Sequence, residues 1–172
     1  MRSTLFTLLL FLAASYTVQA QTTVPKEPSN WFDFWVGNWE LTWESNGVIG
    51  KGTNTIERTL NGKVLQENFT ATEGAMKGYV GKSWSVYNKN TNTWHQTWVD
   101  NQGAYLDFTG KRNGNRLYFQ RSATNPKTDL TTWQRMTFYN IEADRFTWDW
   151  EKSTDNGETW ELAWRINYVR IK

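Results

Sequence analysis

The sequence contains no cysteine. That absence excludes the disulfide framework on which small secreted domains commonly depend, a thiolate metal site and a lipid-modified N-terminal cysteine. Stability has to come from packing. Histidine is nearly absent too, His95 being the single one among 172 residues. One imidazole and scattered carboxylates make no metal-ligand spacing, so neither a metal nor another cofactor is expected. An excess of one charge is also lacking: 19 Lys and Arg stand against 17 Asp and Glu, a net charge of +2, with no basic block. Nucleic acid, which demands a basic footprint, is not an expected partner. Beyond Ala20 no run is apolar enough to cross a bilayer as a helix, so no membrane span is expected.

The N-terminus has the three-part layout of a secretory signal peptide: Arg2, the apolar run Leu5 through Ala14, and a polar stretch ending Val18-Gln19-Ala20. Residues 1–20 are read as the signal peptide, 21–29, with Pro25 and Pro28, as a linker, and 30–172 as one domain. Cleavage after Ala20 removes one positive charge and implies an exported protein, periplasmic or secreted. The remaining 152 residues (172 less 20) suffice for one domain with a real core.

Ser29 is placed to cap one or two helical turns over 30–35, and Gly37 to stop them. Everything after reads as strand. Turn signals recur at Ser45-Asn46-Gly47, Asn61-Gly62, Glu73-Gly74, Asn88 to Asn92, Asn101-Gln102-Gly103, Asn113-Gly114-Asn115, Asn125-Pro126 and Asp155-Asn156-Gly157. Between them lie about ten runs rich in Trp, Tyr, Phe, Thr and Val, with no room for crossover helices. Phe146, Trp148 and Trp150 alternate with Arg145, Thr147, Asp149 and Glu151, and the last run, Trp160 to Tyr168, repeats the pattern. The expected fold is all-β: an antiparallel up-and-down β-barrel of about ten strands with a short N-terminal helix across one end. A β-sandwich is the alternative.

The segment Phe34-Trp35-Val36-Gly37-Asn38-Trp39-Glu40-Leu41 resembles the opening of lipocalin-like (calycin) barrels, in which a short helix leads into Gly-x-Trp on the first strand. The resemblance implies that Trp39 plugs one barrel end under an arginine from the last strand, Arg165 or Arg170. The Thr-Asp-Tyr turn of true lipocalins is missing, and ten strands exceed their eight. A fuller likeness is to uncharacterised bacterial single-domain proteins that begin Phe-Asp-Phe-Trp-x-Gly-x-Trp and later read Gly-x-Ser, Trp-x-Gln-x-Trp-x-Asp and a Trp-bearing hairpin. Phe32 to Trp39, Gly81 to Ser83, Trp94 to Asp100 and Ser153 to Trp160 carry it. It implies a fold and no activity.

Ser153 to Trp160 also resembles the Asp-box hairpin of sialidases, but a propeller needs several copies and a longer chain, so the segment is read as a turn with Trp160 packed behind it. His95 lies opposite Trp94, Gln96 and Trp98 on its strand and is read as solvent-facing; a haem barrel using His95 is the alternative. Asn68-Phe69-Thr70 fits a glycosylation sequon by chance, since it falls in a strand.

Glu67 alternates with Leu65 and Phe69 and should point inward, where burial raises a carboxyl's pKa unless it is paired; Arg135 is the expected partner. The pair would orient a ligand's polar group or serve as a structural ion pair. Most of the twelve tryptophans should fill the core, but Gln96 and Asp100 on the same face as Trp94 and Trp98 argue for a site. The reading is an exported monomeric barrel that binds a small, largely apolar or aromatic molecule inside. Trp98, Trp148 and Trp150 supply apolar walls, and Gln96, Glu67 and Arg135 orient a polar group; no catalytic residue is assigned. The rivals are an isomerase or cyclase with Glu67 as general base, a carbohydrate-binding module with outward aromatics, and a structural envelope protein.

Overall fold

The computed structural model describes residues 24–172. Ten strands follow one another: β1 (Gly37–Ser45), β2 (Val48–Thr59), β3 (Val64–Glu73), β4 (Val80–Asn88), β5 (Thr93–Asp100), β6 (Tyr105–Asn113), β7 (Arg116–Thr124), β8 (Thr131–Tyr139), β9 (Arg145–Ser153) and β10 (Glu161–Arg170). Each pairs antiparallel with its neighbours in sequence, and β10 returns to β1, with Trp39 opposite Arg170, to close the barrel. Closure leaves no sheet edge.

The hairpins form where the chain supplies residues tolerant of positive φ. Asn46 and Gly47, at φ 50° and 74°, make the two-residue connection of β1 to β2. The Ser153 to Trp160 turn is a hydrogen-bonded unit: Asp155 accepts from the Ser153 hydroxyl at 2.7 Å and the Thr159 amide at 3.0 Å, and the Trp160 indole donates to the Gly157 carbonyl at 2.9 Å. One connection carries no turn signal among those read from the sequence. Between β8 and β9, Asn140 turns at φ 50° and Ile141 tucks into the core.

Alternation decides the interior. On β1, Trp39, Leu41 and Trp43 are buried while Glu40, Thr42 and Glu44 are exposed; on β3, Leu65, Glu67, Phe69 and Ala71 are buried. Small residues make room for the large ones: Gly81, on the inward face of β4, lies so close under the Trp98 indole that a Cβ there would collide with the ring, and Gly50 stands likewise against Trp43.

Successive hairpins alternate between the two barrel ends. One end is plugged. The expected short N-terminal helix is present as two 3-10 turns, Pro28–Asn30 and Asp33–Trp35, but Ser29 does not cap it: Ser29 lies inside the first turn and neither turn has a side-chain cap. So short a segment cannot meet the nucleation cost of an α-helix, and 3-10 turns serve in such pieces. Phe32 and Trp35 drop into the barrel, where Phe32 stacks on Phe119 with ring centroids 4.5 Å apart. The segment expected as linker is docked as well: Val24 is buried and Arg112 donates to the Pro25 carbonyl at 2.6 Å.

Of the two arginines that could cover Trp39, Arg170 does so. Its guanidinium lies 4.1 Å from the ring centroid and donates at 2.8 Å to the carbonyls of Phe34, Val36 and Ala143. Arg165 pairs with Asp149 instead, at 2.8 Å. Among the described residues no helix is long and apolar enough to cross a membrane.

Candidate functional site

Towards the other end the barrel is not filled. A cavity of about 310 Å³ opens there, walled by Phe69 from β3, Trp98 from β5, Phe108 from β6, Trp148 and Trp150 from β9, and Trp164 from β10. Met76 and Tyr79, from the β3–β4 connection, and Gln102, from the β5–β6 connection, line it as well. The rings meet mostly edge to face, as Trp148 does Trp164 at 5.7 Å, an arrangement that leaves gaps a parallel stack would close.

Glu67 and Tyr168 lie deepest along their strands among the cavity's lining residues and form its floor. The Glu67 carboxyl is buried but not naked: Asn54 donates to one oxygen at 2.6 Å and the Ser83 hydroxyl to the other at 2.5 Å. Behind them Gln96 donates to the hydroxyls of Ser83, at 3.3 Å, and Ser85, at 3.0 Å. Ser83 thus accepts from Gln96 and donates to Glu67. Asn54 also donates to the Tyr168 hydroxyl at 3.2 Å. A polar layer from β2, β3, β4, β5 and β10 thus separates the plugged half from the cavity.

Burial pushes the Glu67 carboxyl up to about 7, against the opposing pull of the Ser83 and Asn54 hydrogen bonds. The Tyr168 phenol is raised well above its ordinary value by burial and then by the Glu67 charge. Burial alone would raise Asp100, but donation from the Tyr79 hydroxyl, the Ala104 amide, the Trp98 indole and the Gln102 amide outweighs it and holds Asp100 below the usual carboxylate range. Asp100 thereby pins two walls of the mouth, Tyr79 at 2.8 Å and Trp98 at 3.1 Å.

Of the residues singled out in the sequence, Glu67, Trp98, Trp148 and Trp150 line the cavity together, and Gln96 stands behind the floor as a donor to Ser83. Arg135 does not join them. Its strand puts it on the outer face, where it pairs with Glu151 at 2.6 Å and lies 3.9 Å over the Trp160 ring, so the expected Glu67–Arg135 pair does not form. Met136 and Phe138, of opposite parity, take the inward positions of β8. An arginine beside the cavity does exist: Arg121 follows Leu117 and Phe119 along the inward face of β7, donates to Gln134 at 2.6 Å and lies 5.9 Å from the Phe108 ring. His95 is exposed on the outer face and cannot reach the interior. Tyr79, Trp164, Asn54 and Ser83 were not singled out; for Asn54 and Ser83 the available signal was a polar residue at an inward strand position.

Among the described residues no three His, Asp or Glu side chains are grouped to hold a metal ion. The arrangement can enclose an apolar body of modest size and present one carboxyl group to it from below. Compared with models of known protein families the chain matches none, and it matches no curated protein.

Proposed function

We propose that the barrel binds one small, largely apolar or aromatic molecule in its interior. The observation that carries this reading is the contrast between the two halves: in the plugged half Phe32, Trp35, Trp39 and Trp94 are almost wholly buried, whereas the half above Glu67 keeps about 310 Å³ walled by aromatic rings. That volume falls at the lower end of ligand pockets, about 300 to 1,000 Å³. Aromatic walls without a filling side chain suit a compact hydrocarbon or aromatic body, and Glu67 supplies one oriented polar contact. The test is native mass spectrometry of the protein taken from the cells that make it, followed by organic extraction. A reproducible small-molecule adduct, lost in a folded Trp98→Ala variant, supports the reading; a bare mass together with no uptake of added aromatic compounds would sink it.

The likeness of Trp39 and Gly37 to the lipocalin-like opening, with Arg170 over the ring, supports placing the chain near those barrels. The N-terminal layout supports export, which N-terminal sequencing tests by finding Gln21 first.

One observation favours a second reading, an enzyme of the isomerase or cyclase type. A buried carboxyl titrating at about 7 is poised to exchange a proton with a ligand at neutral pH. On that reading Glu67→Gln abolishes turnover and leaves ligand uptake intact.

A further inference from the structure

Every hydrogen bond that reaches the Glu67 carboxyl is a donation. Asn54 serves one oxygen, Ser83 the other, and Gln96 in turn donates to Ser83. That wiring suits a carboxylate, which accepts at both of its oxygens. A buried anion ordinarily has a cationic partner. Here, among the described residues that line the cavity, none is Lys, Arg or His. Arg135, the expected partner, is held outside by Glu151. Arg121 is engaged with Gln134 and with the face of Phe108.

The space where a counter-ion would sit is the cavity itself, and its walls are built from the rings of Phe69, Trp98, Trp148, Trp150 and Trp164, whose faces are electron-rich. Such faces attract cations, most strongly where water is excluded. We infer that the ligand is an organic cation, a protonated or quaternary amine on a compact hydrocarbon or aromatic body, with Glu67 as its counter-ion and the tryptophans as its cage. This inference rests on the proposed binding function and specifies its ligand class.

The groups around Glu67 set the pH dependence. Asn54 on β2, Ser83 on β4 and Gln96 on β5 are neutral donors; Tyr168 on β10 and Tyr79 keep their protons at physiological pH; Asp100, beyond Tyr79, stays charged. Arg121 on β7 donates to Gln134. Glu67 is then the group that changes charge near neutrality, and a fixed cation binds its ionised form. Between pH 8 and pH 6 the ionised fraction falls about tenfold for a carboxyl titrating at about 7.

The probes are benzyltrimethylammonium, whose charge does not titrate, and its neutral isostere neopentylbenzene, each titrated into the purified protein and followed by tryptophan fluorescence and calorimetry. The expected result is tighter binding of the cation at pH 8, a loss of about tenfold in its affinity at pH 6, and a flat profile for the hydrocarbon. Glu67→Gln should erase both the preference and the pH dependence, and the wild-type profile stands as the test if that variant does not fold. Equal binding of the two probes, or tighter binding of the hydrocarbon, overturns the cation inference and leaves the apolar-binding reading standing. Binding of neither overturns both.

Discussion

The Ser83 hydroxyl donates a 2.5 Å hydrogen bond to a Glu67 carboxyl that has no cationic partner among the described residues, directly beneath a cavity walled by tryptophans. The two residues face each other across β3 and β4. An ionisable group is therefore kept where folding alone would favour an apolar one, and the consequence can be measured in stability as well as in binding.

Glu67 titrates at about 7 in the folded barrel against an ordinary 4.5, so between those values the folded state holds the proton more tightly than the unfolded chain. Burying Glu67 is without an ionisation penalty below pH 4.5, and stability falls as pH rises towards 7. From pH 5 to pH 8 this one group should cost roughly 2 kcal/mol. Urea denaturation at the two pH values, on wild type and Glu67→Gln, checks it: the variant should lose less stability over the range by about that amount. Parallel pH profiles would show that Glu67 does not titrate as placed.

Arg170 covers Trp39 and satisfies three carbonyls of the plug and the β8–β9 connection. Arg170→Met removes the cation–π contact and leaves those carbonyls short of donors, for an expected loss of roughly 2 to 4 kcal/mol in denaturant unfolding. Ligand affinity should change little, because the contact lies at the plugged end. Arg135→Met, on the outer face with Glu151, should cost less, about 1 kcal/mol.

Gly81 gives the Trp98 indole the space it occupies. In Gly81→Ala the new methyl meets the ring, which must move towards the cavity or break its hydrogen bond to Asp100. Binding of a small aromatic probe should weaken at least tenfold, and the melting temperature should fall by a few degrees. Unchanged probe affinity would remove Trp98 from the binding wall.

Much of this architecture is legible in the alternation of residues. Trp94, Gln96 and Trp98 face inward while His95 faces out, and Glu67 follows Leu65 and precedes Phe69 into the core, as period-two reasoning requires. The strand β8 shows where that reasoning loses its grip. Its two faces both carry aromatic residues, Trp133 and Tyr139 on one and Phe138 on the other, because the outer face is itself covered by Trp160 and by the Arg135–Glu151 pair. With no polar face to mark the outside, the facing of Arg135 was ambiguous by one residue, and one residue reverses it. Arg121, whose neighbours Phe119 and Leu117 are plainly apolar, was the better candidate for an inward arginine.

The β8–β9 connection was unreadable for another reason. Its turn rests on Asn140 alone, without glycine, and it is held by the Glu142 amide donating to the Arg145 carbonyl at 2.9 Å and by the burial of Ile141, neither of which leaves a local pattern. The polar floor is legible only in hindsight of closure. Asn54, Ser83 and Gln96 sit on β2, β4 and β5, and only the pairing of those strands around β3 brings them to one carboxyl.

On the proposed function the aromatic half of the barrel is the binding site, and the buried rings of the plugged half take no part in binding. The most direct measurement is nuclear magnetic resonance of the indole N–H groups in protein carrying ¹⁵N-labelled tryptophan, recorded as a small aromatic compound is added. The account predicts saturable shifts for Trp98, Trp148, Trp150 and Trp164, with Trp35 and Trp39 unmoved. Saturable shifts confined to outward tryptophans such as Trp84, or no saturable shift at any indole, would contradict it.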